Sequence, residues 1–180
     1  MPADLLDQAP RDGEWPIRET LRHMLAIERR YALQTLYAIE RADADPVRIP
    51  DDRLPTAAQL DATGGIGEVL ARVGDARAET NRRLGDVAPA AMTRPTVWAH
   101  YDVDVRFRLH RFAAHVIEHT IQCEKTLVAL GWRPTEGRRI ARQLAALVGE
   151  IEGLGGFAEA REIEQRLAER LAHQHGGSAC

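Results

Sequence analysis

Apolar residues recur at three- and four-residue spacing along most of this 180-residue chain, which is the pattern of amphipathic helices. The pattern predicts five helices, labelled A to E, at about 16–41, 66–84, 104–130, 136–154 and 157–172. Helix C can begin at Asp102 or Asp104, either of which suits a helix start. No segment shows sustained period-two alternation, so the pattern predicts an all-α fold built as a helical bundle.

Prolines and glycines mark where these helices begin and end. Pro16 suits the first turn of helix A, because its missing N–H would have no partner there. The proline-rich stretch 42–62 is read as an irregular crossover, and a second irregular stretch contains Pro89, Pro95 and Trp98. Gly131 and Pro134 end helix C.

Chain length and charge narrow the class of protein. We expect one bundle domain over 1–172 and a disordered tail over 173–180. The 24 basic and 27 acidic residues give a net charge of −3, so we expect no nucleic-acid partner.

No apolar run approaches the roughly 20 residues that span a bilayer, and the N-terminal residues lack a signal-peptide pattern. With only two cysteines, we expect a cytoplasmic protein, and the arginine- and alanine-rich composition hints at a bacterial source.

Two histidines of helix C, His115 and His119, lie four residues apart and project about 40° apart around the helix axis. Such a pair can bind one metal ion. The apolar arc of the helix is centred near 100° from His115, which places the pair at the seam between the core and solvent faces. This position allows two interpretations of the pair. The two histidines are either half-exposed surface residues or metal ligands that line a cleft between two helices.

A two-histidine metal site needs a further ligand, and His23 near the middle of helix A is the natural candidate. Taken alone, His23 is typical of a hydrogen-bonded core histidine. His110 projects about 140° away from His115, so it cannot share a metal ion with His115 and is expected to pack.

Two segments resemble the signatures of the DinB-like superfamily of metal-dependent enzymes, of the YfiT type. These are EWPIRETLRH at 14–23 and HRFAAHVIEHTIQCEK at 110–125. In that family a helix opened by Trp supplies one histidine, and a later helix supplies His-x-x-x-His, so the ligands would fall on His23, His115 and His119. The resemblance covers about 14–132 and implies a four-helix bundle holding nickel, zinc or iron.

The chain departs from the family pattern at its N-terminus. Pro16 stands where Ser or Thr usually follows the Trp, and only fourteen residues precede Trp15, where the family usually has a whole helix. A bundle lacking one helix exposes an apolar stripe. We therefore expect helix D or E to fill the vacant place, through positions such as Ile140, Leu144, Leu147 and Ile151, or a homodimer to cover it.

The resemblance implies a thiol-dependent S-transferase or a hydrolase that acts on a small molecule, with a low-molecular-weight thiol as a second cofactor. Arg111 could pair with a carboxylate of the thiol or substrate, and Gln122 could orient metal-bound water. Cys123 lies in the apolar arc and is read as a small buried hydrophobe. The alternative is a non-catalytic bundle whose metal site is structural or vestigial.

Overall fold

The computed structural model describes residues 3–153, 161–163, 165–166 and 169–170. Its internal contacts divide the chain into two units, Met1–Trp132 and Arg133–Cys180. All the candidate site residues belong to the first unit. The expectation of a single domain over 1–172 stays a prediction.

The first unit is built from three long helices and one small hairpin. They are α1 (Ile17–Glu40), α2 (Ile66–Leu84), the strands β1 (Pro95–Trp98) and β2 (Tyr101–Asp104), and α3 (Val105–Ala129). Short 3₁₀ turns occur at Ala3–Leu6, Asp51–Arg53, Ala57–Leu60 and Pro89–Ala91. The all-α class and helices A, B and C are confirmed.

Local chemistry sets the ends of these helices. Pro16 directly precedes α1 in an extended conformation, with φ of −63° and ψ of 163°. At the start of α2, the Gly65 N–H donates to Glu68 Oε2 at 2.6 Å, and at the start of α3, the Phe107 N–H donates to Asp104 Oδ1 at 2.8 Å. Helix α3 ends at a left-handed Gly131, with φ of 85°, as expected for a glycine that stops a helix.

The core consists of two apolar clusters along α1. The first half of α1 packs with Val69 of α2 and with the second half of α3, including Val116 and Leu127. The second half of α1 packs with Leu84 of α2 and with Phe112 in the first half of α3. Helices α1 and α3 therefore run antiparallel, and the middle of one faces the middle of the other.

The second irregular stretch contains a small β-hairpin, which is the one sheet among the described residues. Strands β1 and β2 pair antiparallel, with Trp98 opposite Tyr101 and a two-residue turn between them. Ala99 in that turn has φ of 53°, a left-handed conformation that residues with a Cβ rarely adopt. Each strand has four residues, too few to display a period-two pattern in the sequence.

The second unit contains α4, Glu136–Gly153, which confirms helix D. Ile140 and Leu147 on this helix are exposed. The expectation that helix D or E completes the bundle stays a prediction. Most of helix E and the whole 173–180 tail lie outside the described residues.

None of the helices in the described ranges combines the length and the apolar character needed to cross a membrane.

Candidate metal centre

Three histidines from two helices converge in the first unit. His23 of α1 and His115 and His119 of α3 each offer a ring nitrogen, and these three atoms lie within 4.8 Å of one another. The ring centroids are 5.2 Å apart for His23 and His115, 4.7 Å for His23 and His119, and 4.3 Å for His115 and His119. The predicted convergence of the three side chains is confirmed.

The antiparallel packing of α1 and α3 explains why they meet. His23 lies beside Met24 of the first apolar cluster, and His115 lies between Phe112 of the second cluster and Val116 of the first. Each histidine thus sits near the middle of the shared helix interface. The four-residue spacing then places His119 one turn along α3 on the same side.

The seam position predicted for the pair is wrong for His115. This side chain is buried, with 7% of its surface exposed, and Arg108, two turns earlier on the same face, is 3% exposed. The face of α3 that is buried therefore differs from the predicted arc of apolar residues. It is rotated around the helix axis towards His115 and includes polar residues. His23 and His119 are half-buried, which favours ligands in a cleft over surface residues.

His110 is also placed differently from the expectation. The sequence reading assigned it a packing role, whereas it is exposed on α3. It points about 140° away from His115 around the helix, as its position predicts.

The surroundings favour the neutral form of two of the imidazoles. Burial lowers the pKa of His115 to about 4, and the nearby His119, His23 and Arg111 act in the same direction. Burial also lowers the pKa of His23, with additional effects from His119, Arg22 and Arg30. Only a neutral imidazole has the lone pair that binds a metal ion, so both rings are ready to coordinate at neutral pH.

Gln122 orients the third imidazole. The Nδ1–H of His119 donates to Gln122 Oε1 at 2.7 Å. This hydrogen bond leaves Nε2 as the free coordinating atom of His119. A hydrogen bond to the second ring nitrogen is the usual way in which proteins orient metal-binding histidines.

The donor set and its spacing fit a divalent cation. Two imidazole nitrogens bound to one tetrahedral ion, each at 2.0–2.1 Å, lie about 3.3 Å apart. His115 Nε2 and His23 Nε2 are 3.2 Å apart. Without a cation the same two atoms share a proton in an N–H···N hydrogen bond, so the spacing suits both states.

A cavity of about 680 Å³ adjoins His119. One wall is formed by Arg11, Glu14 and Trp15, and the other by His119, Gln122 and Lys125 of α3. The Trp15 ring lies 5.3 Å from the His23 ring, between centroids. The cavity is therefore lined directly by His119. It is also lined by Trp15, whose ring packs against His23.

Sequence reasoning assigned no role to this cavity. The motif EWPIRETLRH at 14–23 places Trp15 at the start of helix A but does not indicate that its side chain lines a cavity. The α3 wall of the cavity follows helical spacing, because three of its residues lie three, four and seven positions after Gln122: Lys125, Thr126 and Ala129. This spacing is a signal from which the wall could be predicted. The 11–14 wall carries no periodic signal, because these residues lie in an irregular segment.

Arg111 does not line the cavity beside His119. Its Nη2 donates to Glu118 Oε2 at 3.2 Å, and its guanidinium lies 4.9 Å from the centre of the Trp98 ring. This hydrogen bond connects Glu118 to Arg111, which lies one turn before His115 on α3. The pKa of Glu118 is lowered chiefly by the hydrogen bond from Arg111.

Cys123 lies on the apolar side of α3 as predicted, but it is half-buried and not fully buried. It packs against the first apolar cluster, and burial raises the pKa of its thiol to about 11. A protonated thiol at neutral pH is a poor nucleophile.

An all-α protein whose antiparallel helices bring three imidazoles together beside a cavity has the organisation of a helical metal-binding protein. The sequence model of the DinB superfamily matches residues 1–123, a range that includes all three histidines. The chain belongs to the DinB superfamily. None of the curated proteins compared with it matches.

Proposed function

We propose that the protein is a metal-dependent enzyme in which His23, His115 and His119 hold one divalent cation, which is nickel, zinc or iron. The observation that carries this proposal is the convergence of three ring nitrogens within 4.8 Å, beside a cavity large enough for a small molecule. Structural zinc sites usually have four protein ligands, whereas three ligands and an open position are typical of catalytic sites.

The reaction that suits this site is attack by a thiol or by water on a small electrophilic molecule, as in an S-transferase or a hydrolase. A divalent cation bound there would lower the pKa of a thiol or water in its open coordination position. Cys123 is half-buried and its thiol is protonated at neutral pH, so the thiol would be a separate small molecule. A reducing compartment such as the cytoplasm suits that chemistry.

The residues around the cavity would bind and orient the reactants. Gln122 fixes the His119 ring, and its side chain also lines the cavity. Arg11 and Lys125 place two positive charges on the lining, which suits a thiol or substrate that carries a carboxylate. Arg111 lies outside this lining, so it would contribute to substrate binding only by exchanging its partner Glu118 for a carboxylate that extends beyond the cavity.

Metal analysis of protein purified without a histidine tag tests this function. We expect about one divalent ion per chain, lost in His115→Ala and kept in His110→Ala, because the second histidine is exposed on the same helix. Consumption of a small thiol with an electrophilic test substrate should require the metal and should stop in His115→Ala. A metal-free native protein, or equal metal content in both variants, would contradict the proposed site. Stoichiometric metal that is inert towards thiols and solvent ligands would instead support the non-catalytic alternative.

A further inference from the structure

A second cavity in the first unit, separate from the one beside His119, has a volume of about 280 Å³. Three arginines contribute to its lining: Arg30 of α1, Arg48 of the crossover and Arg108 of α3. Tyr31 lines it too, and the ring of Tyr31 lies 5.6 Å from that of His115, between centroids. We call this cavity the arginine pocket.

Arg108 is the unusual member of this group. Only 3% of its surface is exposed, and its Nε is buried without a hydrogen-bond partner. Its Nη2 donates to the Tyr31 carbonyl oxygen at 3.3 Å, and its guanidinium lies 4.3 Å from the centre of the Tyr31 ring. Burial lowers the pKa of Arg108 to about 10, so the side chain is still charged at neutral pH. Within the described ranges, no carboxylate forms an ion pair with it.

Arg41 is a second buried arginine, and its Nε also lacks a hydrogen-bond partner, but its two Nη atoms are well supplied with acceptors. It is 7% exposed, and its guanidinium donates to carbonyl oxygens of Ala42, Asp43, Asp45 and Pro95. Arg108 makes a single long hydrogen bond in a similarly buried position. A buried charge without an anionic partner is costly, so an anion bound beside Arg108 would supply the ionic contact that the described residues do not.

The remaining lining indicates the kind of anion. Arg48 adds a second positive charge, and it is held in place by donating to the Ala99 carbonyl oxygen at 2.5 Å. Asp51 is the one acidic residue in the lining, and it is exposed. Three arginines against one aspartate give the pocket a positive field.

The rest of the wall includes four apolar side chains, Ile27, Ile49, Leu54 and Val97. Such a wall suits an anion attached to an apolar body better than a fully hydrated inorganic ion. The planar guanidinium of Arg108 matches the two oxygens of a carboxylate.

We propose that the arginine pocket binds the carboxylate of a small organic acid, with Arg108 and Arg48 as its cationic contacts and the apolar wall around its body. None of these residues is a candidate metal ligand. The inference therefore goes beyond the proposed metal-dependent function and does not rest on it.

Calorimetric titration of the full-length protein with benzoate tests the proposal, because benzoate joins a carboxylate to an apolar ring. We expect benzoate to bind at least tenfold more tightly than the uncharged benzamide, since hydrogen bonds to a charged group are lost in the amide. Inorganic phosphate should also bind more weakly than benzoate. Benzoate and benzamide of equal affinity, phosphate as tight as benzoate, or no benzoate binding at millimolar concentration would each overturn the assignment.

Three variants locate the site. Arg108→Met should weaken benzoate binding at least tenfold while the unliganded protein keeps or gains thermal stability, since an apolar side chain replaces an unpaired buried charge. Arg48→Ala changes an exposed residue and should also weaken binding. Arg106→Ala, on the exposed side of the same helix, should leave the affinity unchanged.

Unchanged benzoate affinity in both Arg108→Met and Arg48→Ala would reject the pocket. Should Arg108→Met fail to fold, Arg48→Ala decides alone. A carboxylate could also bind a metal ion, so the titration is repeated with His115→Ala. Binding that persists there supports the arginine pocket even if the metal proposal fails, and binding that disappears would assign benzoate to the metal centre.

Discussion

The buried position of His115 makes a quantitative prediction about stability in acid. In the folded protein without metal its pKa is lowered to about 4, from an ordinary value of 6.5. The unfolded chain binds a proton at the ordinary pKa, so between these two values the unfolded state holds more protons. The contribution of neutral His115 to stability is therefore fully present above about pH 6.5 and is lost as the pH falls towards 4.

These two pKa values give the size of the effect. From about pH 7.5 to about pH 5, linkage removes about 2 kcal/mol from the free energy of unfolding. His115 is 7% exposed, so we assign this loss to a buried imidazole and not to a solvent-exposed one. A histidine with an ordinary pKa in both states would remove nothing.

Urea unfolding of chelator-treated protein at the two pH values measures this loss. The wild type should lose about 2 kcal/mol more than His115→Gln, because both proteins share the titrations of their carboxylates. His110→Gln serves as the matched control and should lose as much as the wild type. Equal losses in all three proteins would show that His115 titrates as an exposed histidine, which would refute the buried geometry of the centre.

Three further substitutions have expected outcomes. Gln122→Leu removes the acceptor that orients His119, so metal affinity measured by chelator competition should fall about 10–100-fold, and an unchanged affinity would exclude this role. Phe112→Ala opens a cavity at a side chain that is 5% exposed, and the free energy of unfolding in urea should fall by about 3–5 kcal/mol; a loss within error of zero would contradict the described core. Asp104→Ala removes the side-chain cap of α3 and should lower the free energy of unfolding by about 1 kcal/mol. The control Asp102→Ala changes an exposed residue and should have no such effect, so equal losses in the two variants would argue against the cap.

The sequence contained enough information for the helices and for the identity of the three histidines. Helical periodicity and end signals located α1, α2 and α3 closely, because caps such as Asp104 and stops such as Gly131 act through local geometry. The resemblance of two motifs to those of the DinB-like superfamily, in the same order, singled out His23, His115 and His119. These properties depend on short-range chemistry or on residue order.

Local sequence patterns did not predict which face of α3 is buried. Its buried face includes Arg108 and His115, two residues that the hydrophobicity pattern places at the seam between the core and solvent faces. Such positions become interior through packing against α1, a long-range effect that periodicity does not record. The arginine pocket and the 11–14 wall of the larger cavity were missed for the same reason.

The hairpin was missed for a different reason. Four-residue strands are too short to establish alternation, and the turn residue Ala99 is not one of the usual turn formers. Tertiary contacts explain its presence, since the Trp98 indole N–H donates to the Tyr31 hydroxyl at 2.8 Å. This bond fastens the hairpin to α1, beside the arginine pocket.

X-ray absorption at the edge of the bound metal tests the central claim most directly, because it counts the atoms around the ion. We expect three imidazole nitrogens at about 2.0–2.1 Å in the wild type and two in His23→Ala, with light-atom ligands completing the shell. Fewer than three nitrogens in the wild type, or a nitrogen count that does not change in His23→Ala, would show that these three histidines are not the ligands.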